Sequence, residues 1–175
     1  IGVLRNSLLQ LKNTIIRYKK YVPVELVKTL MKFGIKPEPG AGCAVLTVLC
    51  VKSPGFSILT AGKEYFRAVQ KLPDWFEILV SSAAECGGIP DCFRADMFTA
   101  FFGVPEASDT HAANACRAAL RIKERSGNNI PAHAAIHTGE AAAGIIGTSK
   151  RVCYTVLGKN TAYPEKICIL NEVYK

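Results

Sequence analysis

A chain of 175 residues, 49% hydrophobic and 21% charged, has room for one globular domain with a real core and not for two of full size. That balance excludes a disordered tail, a collagen-like rod and a coiled-coil fibre, and the longest apolar run, 41–51, is too short to cross a bilayer. The net charge of +8 does not point to nucleic acid, because residues 1–36 hold eight Lys/Arg against one acid while the rest carries fourteen bases against thirteen acids.

Leu4, Leu8, Leu11, Ile15 and Tyr18 recur at alternating spacings of four and three. This predicts an amphipathic helix, with Arg5, Lys12, Arg17 and Lys19 off the apolar seam. Such a seam calls for another helix, from a partner or from the body, and its basic flank suits an acidic partner or an anionic surface. Pro23 fits the first turn of a second helix, 24–33, ended by Gly34, and 35–42 reads as a linker. Residues 1–36 are therefore a basic helical lead-in and 37–175 a separate globular domain.

In that domain, 43–52 is an apolar, β-rich run suited to a central strand, and Ser53-Pro54-Gly55 is a turn. A helix is expected over 73–85, with Pro73 near its start and Gly87-Gly88 closing it. A hairpin follows over 91–102, turning near Ala95-Asp96. The next helix, 107–125, places Ala112, Cys116, Ala119 and Leu120 on one face. Strands 130–137 and 141–146 flank a turn at Thr138-Gly139, a further strand covers 152–157, and a helix covers 161–170. The order αα-β-α-ββ-α-ββ-β-α suggests an α/β sandwich with a mixed sheet. The seven cysteines form no CxxC pair and sit mostly in apolar runs, which reads as reduced core thiols in a cytoplasmic domain rather than a disulfide framework or zinc site.

Several of these segments resemble the class III nucleotidyl cyclase domains. Tyr21-Val22-Pro23-Val24-Glu25-Leu26-Val27 is similar to their entry motif, YVP-x-ELV, and the run from Val45 through Lys52 to Ser57 to their first strand and loop, VTVLFADIxGFT. Gly87-Gly88 through Gly103-Val104-Pro105 resembles GG-x-x-x-K-x-x-GD followed by FG-x-P. Ala135-Ile136-His137-Thr138-Gly139-Glu140 through Gly144 and Gly147 resembles GIHTGE-x-x-x-G-x-x-G, and Tyr154-Thr155-Val156-Leu157-Gly158 follows at the family's distance. The series spans almost the whole chain in the family's order. It implies a ferredoxin-like βαββαβ sandwich preceded by N-terminal helices, an α+β fold, in a domain whose C-terminal strands are missing from 37–175. It also implies head-to-tail pairing with another cyclase homology domain.

In that family two aspartates hold Mg²⁺ or Mn²⁺ ions, which bind the triphosphate of ATP or GTP and activate the ribose 3′-hydroxyl for attack on the α-phosphorus. The partner chain adds a purine-reading pair, an Asn and a transition-state Arg. Carried over residue by residue, the first metal aspartate falls at Lys52 and the second is Asp96. The purine-reading Lys falls at Cys92 and its companion is Thr155. The Asn falls at Ala162, and the Arg at Lys166, which keeps the charge without the bidentate fork. Gly55, Phe56 and Ser57 retain a loop whose backbone N–H groups could face a phosphate. His137 is structural in this reading.

The expectation is a degenerate cyclase domain: the glycine scaffold and strands are kept, and the chemistry is not. It would bind no metal and ATP or GTP weakly at most. Its role would be structural or regulatory, beside another cyclase domain in a homo- or heterodimer. The alternatives are a nucleotide-independent docking module of a large assembly and an active adenylyl or guanylyl cyclase half-site. No nucleic acid partner is expected, and a membrane only through other parts of a parent protein. Lys52 and Asp96 are further expected to approach salt-bridge distance, the ammonium standing in for the metal.

Overall fold

The computed structural model describes residues 2–18, 27, 31–32, 34, 39–53, 65–94, 96–127, 132–148 and 151–173. The chain divides into two compact units, Ile1–Pro37 and Glu38–Lys175. In the first, helix α1 spans Gly2–Tyr18, and the seam residues Leu4, Leu8, Leu11 and Ile15 stand exposed. The second helix expected over 24–33 falls largely outside the described residues. No helix among the described residues is long and apolar enough to cross a membrane.

The second unit is built on a five-stranded sheet: β1 (Gly40–Lys52), β2 (Ile89–Arg94), β3 (Met97–Phe102), β4 (His133–Thr148) and β5 (Arg151–Leu157). Their order across the sheet is β2-β3-β1-β4-β5. Helices α2 (Tyr65–Glu85), α3 (His111–Ser126) and α4 (Lys159–Val173) complete it. The α+β layering and the βαββαβ core agree with the expected fold. The sheet is antiparallel at every pairing, which corrects the expected mixed sheet. The reason is that the parallel pairs joined by helical crossovers, β1 with β2 through α2 and β3 with β4 through α3, are never neighbours: β3 separates the first pair and β1 the second.

β1 reads as a continuous apolar run because both of its faces are covered; residues 46–51 are all buried. Leu49 and Val51 join Phe98, Ala100 and Phe102 of β3 in a core with Trp75, Leu79 and Ala83 of α2 and Ala115, Ala118 and Ile122 of α3. Leu46 and Val48 point the other way, toward Phe101, Val104, Ala141 and Val156. Arg121 and Arg125 of α3 both reach Glu85 at the end of α2, at 2.9 and 2.8 Å, bracing the two helices from the solvent side. The Gly87-Gly88 stop holds as expected. Gly87 takes φ +77°, its N–H bonds to the Ala84 carbonyl, and the Gly88 N–H to the Ala83 carbonyl, a Schellman closure.

Several boundaries move. β4 is one strand of sixteen residues, not two around a turn: Thr138 and Gly139 stay extended because they pair with Thr47 and Leu46 of β1. β1 begins at Gly40, inside the expected linker, because Gly40–Gly42 pair with Ile145–Ala143. β2 begins at Ile89, because Ile89 and Pro90 pair with Phe101 and Ala100. α2 begins at Tyr65, with Pro73 inside it, and α4 runs from Lys159 to Val173 with Pro164 inside it. α3 begins at His111 rather than 107, and its buried face is Ala115, Ala118 and Ile122, leaving Cys116 and Leu120 exposed. The core-thiol reading holds for Cys50 and Cys168 alone among the described residues. Cys43, Cys116 and Cys153 are exposed on uncovered sides of their elements, and Cys86, in the turn after α2, is half-buried against the core.

Tyr154 of β5 packs on the core around Leu46 and Val156. Burial pushes its phenol up to about 12. The folded state therefore keeps this proton between pH 10 and 12 while the unfolded chain releases it, so stability falls as pH rises through that window. In denaturant titrations at pH 9 and 11.5, Tyr154→Phe is expected to lose roughly 2 kcal/mol less than the wild type over this interval. An equal loss in the variant would rule this group out as its source.

Candidate functional site

Lys52 ends β1 and is register-paired with Met97 on one side and His133 on the other. Asp96 sits in the turn joining β2 to β3, immediately before Met97. The Ser53 N–H bonds to the Asp96 carbonyl at 2.9 Å, closing this corner through the backbone. The Lys52 ammonium lies 3.5 Å from Asp96 Oδ2, with only 14% and 17% of the two side chains exposed. The expected pairing is therefore present, and it is partly desolvated. One turn of chain away, Arg94 of β2 forms an ion pair with Glu165 of α4, tying the hairpin to that helix.

This corner does not fit a divalent cation. Mg²⁺ and Mn²⁺ want several oxygen donors, and here one carboxylate faces an ammonium that already neutralises it. Among the described residues, no group of three or more His, Cys, Asp or Glu is placed to hold a metal ion.

The other candidate residues fall elsewhere. Thr155 lies on β5 opposite Gly144, which pairs with Ala41, eleven residues up β1 from Lys52. At about 3.3 Å per residue that separation is roughly 35 Å, so Thr155 and Lys52 of one chain cannot hold the same ligand. Ala162 and Lys166 lie on α4. Lys166 is exposed on the outward side with Tyr163, Ile167 and Leu170, whereas Pro164 and Cys168 are buried inward. Cys92 pairs through its backbone with Thr99, and its side chain lies outside the described set. Gly55, Phe56 and Ser57 lie outside the described residues. What the fold brings together is Lys52 with Asp96; it does not join them to Thr155.

Asn160 was not singled out in the sequence. Its Oδ1 is 3.0 Å from His137 Nε2, and its Nδ2 donates to the Glu140 carbonyl at 2.5 Å. It thus pins the first turn of α4 onto β4, and a Cβ at Gly139 would come within 2.5 Å of its amide nitrogen. An Asn two residues after a glycine, at the start of a predicted helix, was the available signal. The Asn160 bond and the tilted contact with the Tyr163 ring, 5.0 Å between centroids, bear out the structural reading of His137. His111 also has a structural partner: its Nδ1 lies 2.7 Å from Thr47 Oγ1, which lies 2.7 Å from Thr138 Oγ1. These bonds satisfy a threonine that is fully buried.

No family model matches the chain. The chain is 25% identical over 185 residues to Adenylate cyclase 1 of Rhizobium meliloti, covering 99% of this chain and 28% of that protein. Among solved structures, a bacterial light-regulated adenylyl cyclase superposes with a TM-score of 0.84 at 19% identity, covering 99% of this chain and 53% of that one. The adenylyl cyclase CyaB from P. aeruginosa superposes with a TM-score of 0.65 at 20% identity, over 75% of this chain and 74% of that one. The chain thus spans little more than a quarter of that curated relative. Its fold is that of the class III cyclase domains, in agreement with the motif resemblance.

Proposed function

We propose that this chain, on a class III cyclase fold, is a catalytically silent cyclase homology domain that serves as a structural or regulatory partner of another cyclase domain or of a larger assembly. One observation carries this reading: a Lys52–Asp96 ion pair occupies the corner where the family places two metal-binding carboxylates. With the ammonium in place, neither metal activation of a 3′-hydroxyl nor metal clamping of a triphosphate has its ligands. The Ala162 and Lys166 positions weaken the other half of the chemistry, since neither supplies the donor geometry of Asn and Arg. Two such chains paired head to tail would carry the same defects in both composite sites. An intracellular setting suits the exposed free thiols at Cys43, Cys116 and Cys153.

The test is direct. Purified chain incubated with ATP or GTP and Mg²⁺ or Mn²⁺ is expected to yield no cyclic nucleotide by chromatography. Turnover above about 1 per minute, already far below the ordinary enzyme range, would overturn the reading. A second reading, in which this chain completes a site on an intact partner, draws on Thr155 and on the exposed cation at Lys166. Mixing the chain with a cyclase domain that keeps both aspartates but lacks the Asn/Arg pair separates the two readings. Activity in the mixture alone favours the second.

A further inference from the structure

Cys50 and Cys168 lie 118 residues apart in sequence and meet on the α4 side of the sheet. Both are fully buried, in a cluster with Ala135 and flanked by Met97. The Cys168 thiol donates to the Cys50 carbonyl at 3.3 Å, and its sulfur is 3.5 Å from the His133 carbonyl. Cys50 stands two residues before Lys52 on β1, and Cys168 two residues after Lys166 on α4. The pair therefore joins the two elements that carry the site positions. Two buried thiols in contact are redundant as packing groups, since an Ala–Ser pair would fill much the same space, but they suit a reversible covalent bond.

We infer that Cys50 and Cys168 are a dithiol pair that a peroxide converts to an internal disulfide, locking α4 onto the end of β1. The sulfur of Cys168 attacks one peroxide oxygen; an S–O bond forms, the O–O bond breaks, and the first water leaves. The Cys50 sulfur then attacks the resulting sulfenic acid; an S–S bond forms, the S–O bond breaks, and the second water leaves. Both thiol protons leave in the two waters, and the two electrons pass to the peroxide. The order of attack follows from position: Cys168 rides on α4, the element that moves, while Cys50 is held in the central strand β1.

Burial makes the reaction conditional. An oxidant reaches these sulfurs only when α4 lifts from the sheet, so oxidation is slower than at exposed Cys43, Cys116 and Cys153 and captures α4 on its return. The consequence is a helix whose outward apolar side, Tyr163, Ile167 and Leu170, is mobile in the reduced protein and fixed in the oxidised one. This inference does not depend on whether the domain is silent or active.

The experiment uses the whole chain carrying Cys43→Ser, Cys116→Ser and Cys153→Ser, all at exposed positions. Hydrogen peroxide is added, free thiols are alkylated, and non-reducing digestion with mass spectrometry maps the bonds. A Cys50–Cys168 cross-linked peptide is expected, together with a rise in melting temperature of about 10 °C, as closure of so long a loop predicts. Dithiothreitol should reverse both. Adding Cys168→Ser, which keeps a donor to the Cys50 carbonyl, should abolish both while leaving the reduced melting temperature within about 3 °C. Recovery of Cys50 and Cys168 as alkylated thiols, as separate sulfonic acids or as bonds to other cysteines would overturn the inference. So would a cross-link that leaves the melting temperature unchanged.

Discussion

Lys52→Asp is expected to lower the melting temperature by about 5–10 °C and to make it respond to Mn²⁺ or Mg²⁺. The substitution replaces a partly desolvated ion pair with two carboxylates at one corner of the sheet. Breaking such a pair costs about 3 kcal/mol, because the remaining charge keeps its desolvation without its partner, and here a like charge is added. A divalent cation relieves both effects. At ten times its dissociation constant it returns about 1.4 kcal/mol by mass action. The wild-type chain, with its ammonium in place, should melt at the same temperature with or without millimolar metal. Lys52→Met is the control: it removes the pair without adding a ligand, and its loss should not be recovered by metal. Thermal melts of the three chains in metal and in chelator settle the matter. A wild type stabilised by Mn²⁺ as strongly as Lys52→Asp would refute the role assigned to the ammonium. The restored carboxylate is not expected to restore cyclase activity, since Ala162 and Lys166 still lack the donors for the transition state.

Gly144→Ala is expected to cost about 3 kcal/mol, a fall of roughly 6–12 °C in melting temperature. Gly144 faces Ala41 where β1 and β4 pair, and a methyl there would overlap the Gly40 carbonyl and come within 2.5 Å of the Ala41 Cα. Backbone cannot swing aside as a side chain can, so the strands must part and lose ladder hydrogen bonds. Gly42→Ala, on the partner strand, meets nothing within 4 Å and should shift the melt by less than about 2 °C. Similar melts for the two variants would show that close approach at Gly144 is unimportant.

Much of the architecture was legible because its signals are local. The apolar run Met97–Phe102, the Gly87-Gly88 stop and the apolar run of β1 depend on residues within a few positions of one another. The errors came from tertiary overrides. Thr138-Gly139 carries turn chemistry, but thirteen residues of pairing with β1 hold it extended. Pro73 is a start signal, yet it sits inside its helix because packing of the flanking turns outweighs one lost hydrogen bond. At the site, the Lys52–Asp96 approach followed from the family register alone; composition or periodicity could not have placed those residues together. Asn160 stayed hidden because its value lies in groups twenty residues upstream, His137 and Glu140, whose position only the fold supplies. The Cys50–Cys168 contact was invisible for the same reason across a longer span.

The central strand also sets a timetable for synthesis. β1 has β3 on one side and β4 on the other, and its pairing with β4 reaches from Lys52–His133 to Gly40–Ile145. The apolar strand that anchors both cores must therefore wait for about 90 further residues before its second edge is filled. At ribosomal speeds of about 5–20 residues per second, that edge stays open for roughly 5–20 s on every nascent chain. Through this interval 46–51 is a charge-free β-segment with an open edge, the kind of surface that other strands and holdase chaperones capture. Soluble yield of the chain should accordingly track translation rate and chaperone supply more closely than it tracks the equilibrium stability of the finished sheet.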